Sequence, residues 1–148
     1  MNLFKRKISD GELQLVKVYT FRSSPFNDSP QSYVYDMVRV EDQKIVGRCD
    51  LRLGMNDELY YAGNIGYTVY VPYRGHHYAQ KASALLFDIA RDKGMHDVLI
   101  TCSPENIPSR KTCEALGCKL LETVDVPESH YLYRQGETVK HIFRKELL

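Results

Sequence analysis

Between residues 64 and 102 the sequence reads strand, helix, strand, and this order narrows the fold more than any other feature. Residues 64–71 form a strand pattern with Tyr67, Val69 and Val71 on one face, and 72–75 break it. From 76 to 93 apolar residues fall at Tyr78, Ala82, Leu85, Leu86 and Ile89, close to the helical period. Gly94 is a C-terminal stop for that helix. Residues 97–102 are a nearly continuous apolar run, the pattern of a strand buried on both faces. Two strands joined through a helix predict a βαβ unit with parallel strands and a right-handed crossover.

The flanking segments complete one mixed α/β domain over residues 1–148. Residues 12–19 alternate, with Leu13, Leu15 and Val18 among polar neighbours. Residues 33–40 and 44–53 read as antiparallel strands, with 41–43 as their hairpin. The stretch 21–31 is rich in Ser, Pro and Asn, a loop or broken helix, and 54–58 is a turn. Asn106 can cap a second helix that carries Pro108 in its first turn and ends at Gly117. Residues 118–126 and 138–147 are closing strands, and 127–136 is too polar for core.

Charge and cysteine usage exclude several classes. Lys and Arg number 20 against 19 Asp and Glu, too balanced for a nucleic-acid binder that works by neutralising phosphates. No run approaches ~18 apolar residues, so no membrane span is expected. Lys5, Arg6 and Lys7 are followed by no apolar stretch, which argues against a signal peptide. Cys49, Cys102, Cys113 and Cys118 form no C-x-x-C pair and read as reduced thiols of a cytoplasmic protein. The histidines show no metal-ligand spacing, so no metal is expected.

The joint between the central strand and its helix carries the chemistry. The segment V-Y-V-P-Y-R-G-H-H-Y-A at 69–79 places Arg74 and Gly75 where a helix begins. A helix start presents unpaired N–H groups and partial positive charge, which suit phosphate. Gly75 alone is equally an ordinary turn glycine. A G-x-x-x-x-G-K-[ST] loop is absent, and so is G-x-G-x-x-G, which removes the two most familiar nucleotide loops.

Y-R-G-H-H-Y-A resembles the R/Q-x-x-G-x-G/A loop of the GNAT N-acetyltransferase superfamily, with Arg74 at the first position and Ala79 at the last. N-I-P-S-R-K-T-C-E-A-L-G-C at 106–118 is similar to that family's N-x-x-[AS]-x-x-x-[YLV]-E-x-x-G helix, matching at Asn106, Ser109, Glu114 and Gly117. G-N-I-G-Y-T-V at 63–69 and V-L-I-T-C at 98–102 resemble a bacterial subgroup of acetyltransferases. The resemblance implies a GNAT fold: a mostly antiparallel central sheet with a parallel βαβ core, flanked by helices. It also implies acetyl-CoA as co-substrate. Its pyrophosphate would lie on Arg74, Gly75, His76, His77, Tyr78 and Ala79, and its pantetheine arm along Val69, Tyr70 and Val71, with Asn106 and Ser109 across from it.

Departures from the pattern set the remaining questions. The family's middle glycine is His77, which either donates to a phosphate or points to solvent. The helix position often held by a tyrosine acid is Cys113, a weak acid or a buried thiol. Only 21–31 is available where the family has a pair of helices, which implies a more open acceptor site.

Direct transfer to an amine needs a neutral nitrogen, and at pH 7 about one lysine-type amine in 2,500 is neutral. Asn64 stands near the family's usual carboxylate and can only hold a water; Glu58, Tyr61 and His130 are further candidates for a base. The missing carboxylate favours an acceptor of low pKa, such as an α-amino group. The expected activity is acetyl transfer to a small-molecule or peptide amine; the alternative is a non-catalytic CoA-binding or regulatory protein. Six of the eleven tyrosines, at 60, 61, 67, 70, 73 and 78, gather around this region, as cleft lining or as packing. A homodimer is compatible with the family.

Overall fold

Alternating strand sequences in the N-terminal half fold into an antiparallel meander in the computed structural model, which describes residues 7–24, 26 and 29–147. Its strands are β1 (Ile8–Ser9), β2 (Leu13–Phe21), β3 (Ser32–Arg39), β4 (Ile45–Arg52) and β5 (Ile65–Val69), neighbours in that order. A one-and-a-half-turn helix, α1 (Asp57–Ala62), precedes β5. The long helix α2 (Tyr78–Asp92) follows it. Then come β6 (Asp97–Cys102), α3 (Ile107–Ala115), β7 (Lys119–Asp125), a single turn α4 (Tyr131–Arg134) and β8 (Val139–Glu146). The last three strands form a second antiparallel sheet in the order β6-β8-β7.

One face of the meander buries Leu13, Leu15, Met37, Val46 and Leu51, and α2 lays Ala82, Leu86 and Ala90 on the same core. The helix period supplies that stripe, since these positions recur every three or four residues. Val98, Ile100 and Phe143 of the second sheet join the same buried cluster.

The expected parallel pairing of β5 with β6 does not form. The two strands lie in different sheets, and every pairing in both sheets is antiparallel. They touch at one junction. Asn64 N–H donates to Leu99 O at 2.7 Å, and Leu99 N–H donates to the Asn64 side-chain oxygen at 2.8 Å. A side chain thus takes the donor that a parallel neighbour would take, and the strands then part around a cavity. Gly63, at φ +82, makes the close approach possible: a Cβ there would sit 3.1 Å from Leu99 O.

Other expectations fare unevenly. Gly54 and the residues after it turn as expected, but Asn56 caps α1 where the sequence predicts only a turn. The 127–136 segment carries buried His130 and Leu132, so it contributes to the interior despite its polarity. Among the described residues between β2 and β3 there is no helix. The reading of 21–31 falls in part, and that of the N-terminal cationic residues mostly, outside the described residues. Among the described residues no helix is long and apolar enough to cross a membrane.

Candidate active site

The loop between β5 and α2 combines exposed side chains with an uncapped helix start. After Val69 the chain makes a 3-10 turn over Val71–Tyr73, and Arg74 Nε folds back to donate to Val69 O at 3.0 Å. Gly75 follows at φ +92 and His77 at φ +61, directly before the helix. No side chain caps α2, and its first intrahelical bond runs from Lys81 N–H to His77 O at 3.0 Å. The N–H groups of the first turn therefore face outward beside an arginine, which is an anion-binding arrangement.

His77, at the motif position of the middle glycine, has a left-handed backbone. For a residue with a Cβ this costs on the order of 1 kcal/mol. Its side chain is exposed, as is that of His76, whose ring lies 5.5 Å from that of Tyr78. Arg39, bonded to Asp42 at 2.6 Å and set over the Tyr73 ring at 5.3 Å, buttresses the loop from β3.

Where β5 and β6 part, a cavity of about 240 Å³ opens. Gly66 and Tyr67 of β5 line one wall, and Thr101 and Cys102 of β6 the other. Asn106 and Ser109 of α3 line it as well. The Asn106 side-chain oxygen accepts Ser109 N–H at 3.2 Å and so caps α3. Tyr67 Oη and Ser109 Oγ are 2.7 Å apart, and burial pushes the Tyr67 phenol up to about 12. The loop and the cavity lie at opposite ends of β5, so the expected binding residues from Val69 to Ala79 and the pair Asn106 and Ser109 flank one strand.

The far side of the cavity carries charges that the linear sequence did not single out. Lys140, 6% exposed, bonds Glu137 at 2.6 Å. Arg52 donates to the carbonyls of Ala62 and Gly63 at 3.1 and 3.0 Å and pairs with Asp50 at 2.8 Å. Burial raises the Asp50 carboxyl above its ordinary range, partly opposed by Arg52. Gly66 lies directly beneath this pair, since a Cβ there would come within 2.6 Å of Asp50 Oδ1.

The expected catalytic side chains do not converge on the cavity. Asn64 is 1% exposed, and besides accepting from Leu99 it donates to Arg52 O at 2.9 Å and Gly54 O at 2.8 Å. Its three side-chain hydrogen bonds all run to backbone groups, so it acts as a strut. Glu58 is exposed on α1. His130 is buried; its Nδ1 accepts Leu132 N–H at 3.1 Å, which leaves Nε2–H to donate to Glu58 O at 2.8 Å. Both ring nitrogens are thereby occupied. Tyr61 packs edge-on against that ring at 5.5 Å. Cys113 is fully buried under α3, where its bond to Cys118 and burial hold the thiol protonated.

Residues 12–119 match the family model of the acetyltransferase (GNAT) domain. No curated protein matches the sequence. Among solved structures, the ribosomal-protein-S5-alanine acetyltransferase of Vibrio fischeri superposes with TM-score 0.62 at 21% identity, over 78% of this chain and 61% of that one. A proposed ribosomal-protein-serine acetyltransferase from Vibrio cholerae gives 0.67 at 15% identity, over 96% and 98%. The microcin self-immunity acetyltransferase MccE, solved with acetyl-CoA and AMP, gives 0.57 at 18%, over 78% and 61%. This chain thus spans about three fifths of two of these proteins and nearly all of the third.

Proposed function

The chain belongs to the GNAT acetyltransferase family, and from that premise we propose that it moves the acetyl group of acetyl-CoA directly onto an amine nitrogen. The observation that carries the reading is the uncapped start of α2, with Gly75 and His77 in left-handed conformation and Arg74 beside them. These residues fit a pyrophosphate: they offer unpaired N–H groups and one cation. We read residues 1–148 as one such domain.

The outer edge of β5 is free because β6 leaves it, so its peptide groups are available to the amides of a pantetheine arm. The thioester would then reach the cavity beside Tyr67. There the amine lone pair forms a C–N bond to the carbonyl carbon, the C–S bond breaks, and the nitrogen's proton is lost to water or ends on sulfur. A backbone N–H on the outer edge of β5 suits the developing oxyanion.

The acceptor in this reading is an amine of low pKa, such as the α-amino group of a peptide. Among the described residues His130 and Asn64 are committed to structural bonds, and neither can take a proton from an ammonium. An α-amino group needs little such help, because its pKa is about 7.7–8.0. The Vibrio fischeri neighbour is named for an alanine of a ribosomal protein, which is in keeping with a peptide acceptor. The same committed side chains favour the second reading, a CoA-binding protein without turnover.

The test is a thermal shift with acetyl-CoA on the wild-type chain and on Arg74→Ala. The expected result is stabilisation of the wild type and a smaller shift in the variant, matching a roughly tenfold weaker affinity. No shift with the wild type would remove the CoA reading altogether.

A further inference from the structure

One side-chain contact spans the opening between β5 and α3. Tyr67 Oη lies 2.7 Å from Ser109 Oγ, and both residues line the cavity. Ser109 is itself held, because its backbone N–H is taken by the Asn106 cap at 3.2 Å. A phenol from the central strand is therefore fixed at the place where the reacting end of the thioester would arrive.

Resting on the transfer reading above, we propose that the Tyr67 hydroxyl donates a hydrogen bond to the sulfur of the departing CoA thiolate, with Ser109 as the positioning residue that holds the phenol in line. The amine nitrogen bonds to the acetyl carbon, the C–S electron pair leaves on sulfur, and the nitrogen's proton passes through water to that sulfur, giving amide and CoA thiol. The Tyr67 proton stays on its own oxygen throughout.

Magnitudes decide between hydrogen-bond donor and acid. The buried phenol is pushed up to about 12. A thiol titrates near 8.5, so complete transfer from phenol to thiolate is unfavourable by roughly a thousandfold or more. A hydrogen bond to a charged acceptor carries no such penalty and is stronger than a neutral one. Cys113, at the motif position often held by tyrosine, is sealed under α3 and does not line the cavity. Cys102, also facing Tyr67, is a buried thiol whose pKa is raised. Lys140 and Arg52 are the cations on the cavity wall, and Glu137 already holds the first at 2.6 Å and Asp50 the second at 2.8 Å.

Calorimetric affinities for CoA and desulfo-CoA at pH 9, where a free thiol is largely ionised, test this without any acceptor. Wild-type protein is expected to prefer CoA by roughly ten- to hundredfold. Tyr67→Phe is expected to bring the ratio near one while binding desulfo-CoA as before, and Ser109→Ala to give an intermediate ratio. Equal affinities in the wild type overturn the proposal, and so does a preference that survives in Tyr67→Phe, which would point to the cavity cations Lys140 and Arg52. The wild-type and Ser109→Ala ratios decide the matter even where Tyr67→Phe does not fold. Failure of both ligands to bind the wild type overturns the transfer reading itself.

Discussion

Asn64 and Leu99 are joined twice, by backbone N–H to carbonyl at 2.7 Å and by backbone N–H to side-chain oxygen at 2.8 Å. This clasp ties the two sheets together just before β5 and β6 part. Asn64→Ala removes the side-chain half of it and leaves Arg52 O, Gly54 O and Leu99 N–H without the Asn64 side-chain partners. The expected loss is about 3 kcal/mol in urea unfolding, because each buried partner left unmade costs about 1 kcal/mol or more. Asn64→Asp, which restores a carboxylate near the family position, is expected to lose a similar amount and gain no activity. An acid cannot donate to the two carbonyls, and its charge would be buried. A gain in turnover by Asn64→Asp would contradict this.

His77→Gly is expected to raise the melting temperature, by an amount equivalent to about 0.5–1 kcal/mol. The native φ of +61 is strained for histidine and ordinary for glycine, while the added freedom of the unfolded glycine offsets part of the gain. CoA affinity should be unchanged or tighter. A loss of affinity confined to low pH would instead show that the imidazolium holds a phosphate.

Stability should fall in strong base. Tyr35 and Tyr67 are both pushed up to about 12 by burial, from an ordinary value of 10.0. A group whose folded pKa is raised contributes fully below its unfolded pKa, and its contribution is lost as pH rises through the folded one. The window is therefore from about 10 to about 12, and each group is worth about 2 kcal/mol or less. Urea midpoints measured across it should drop in the wild type and drop less in Tyr35→Phe and Tyr67→Phe. An equal drop in both variants would show that the phenols are not the cause.

What could be read in advance was local. The stripe from Tyr78 to Ile89 lies within α2, and Gly94 follows its C-cap Lys93. The 106–117 motif and its Asn106 cap are likewise short-range. The parting of β5 from β6 was not legible, because it depends on a side chain reaching a strand 35 residues away. Six-residue α1 was too short to show a period. The Asp50–Arg52 and Glu137–Lys140 pairs are each local, but Arg52, Glu137 and Lys140 reach one cavity only through tertiary contact, although Lys140 left one trace. It shares the inward phase of β8 with Ile142, and a charge on an apolar face signals a buried partner.

Direct acetyl transfer is tested most directly by thiol release from acetyl-CoA at pH 7, with a peptide offering only an α-amino group set against one offering only a lysine side chain. The prediction is turnover with the first, and kcat/KM higher than for the second by at least about tenfold, since far more of the α-amine is neutral. Tight acetyl-CoA binding with no thiol release from any amine would contradict the account and leave a CoA-binding protein in its place.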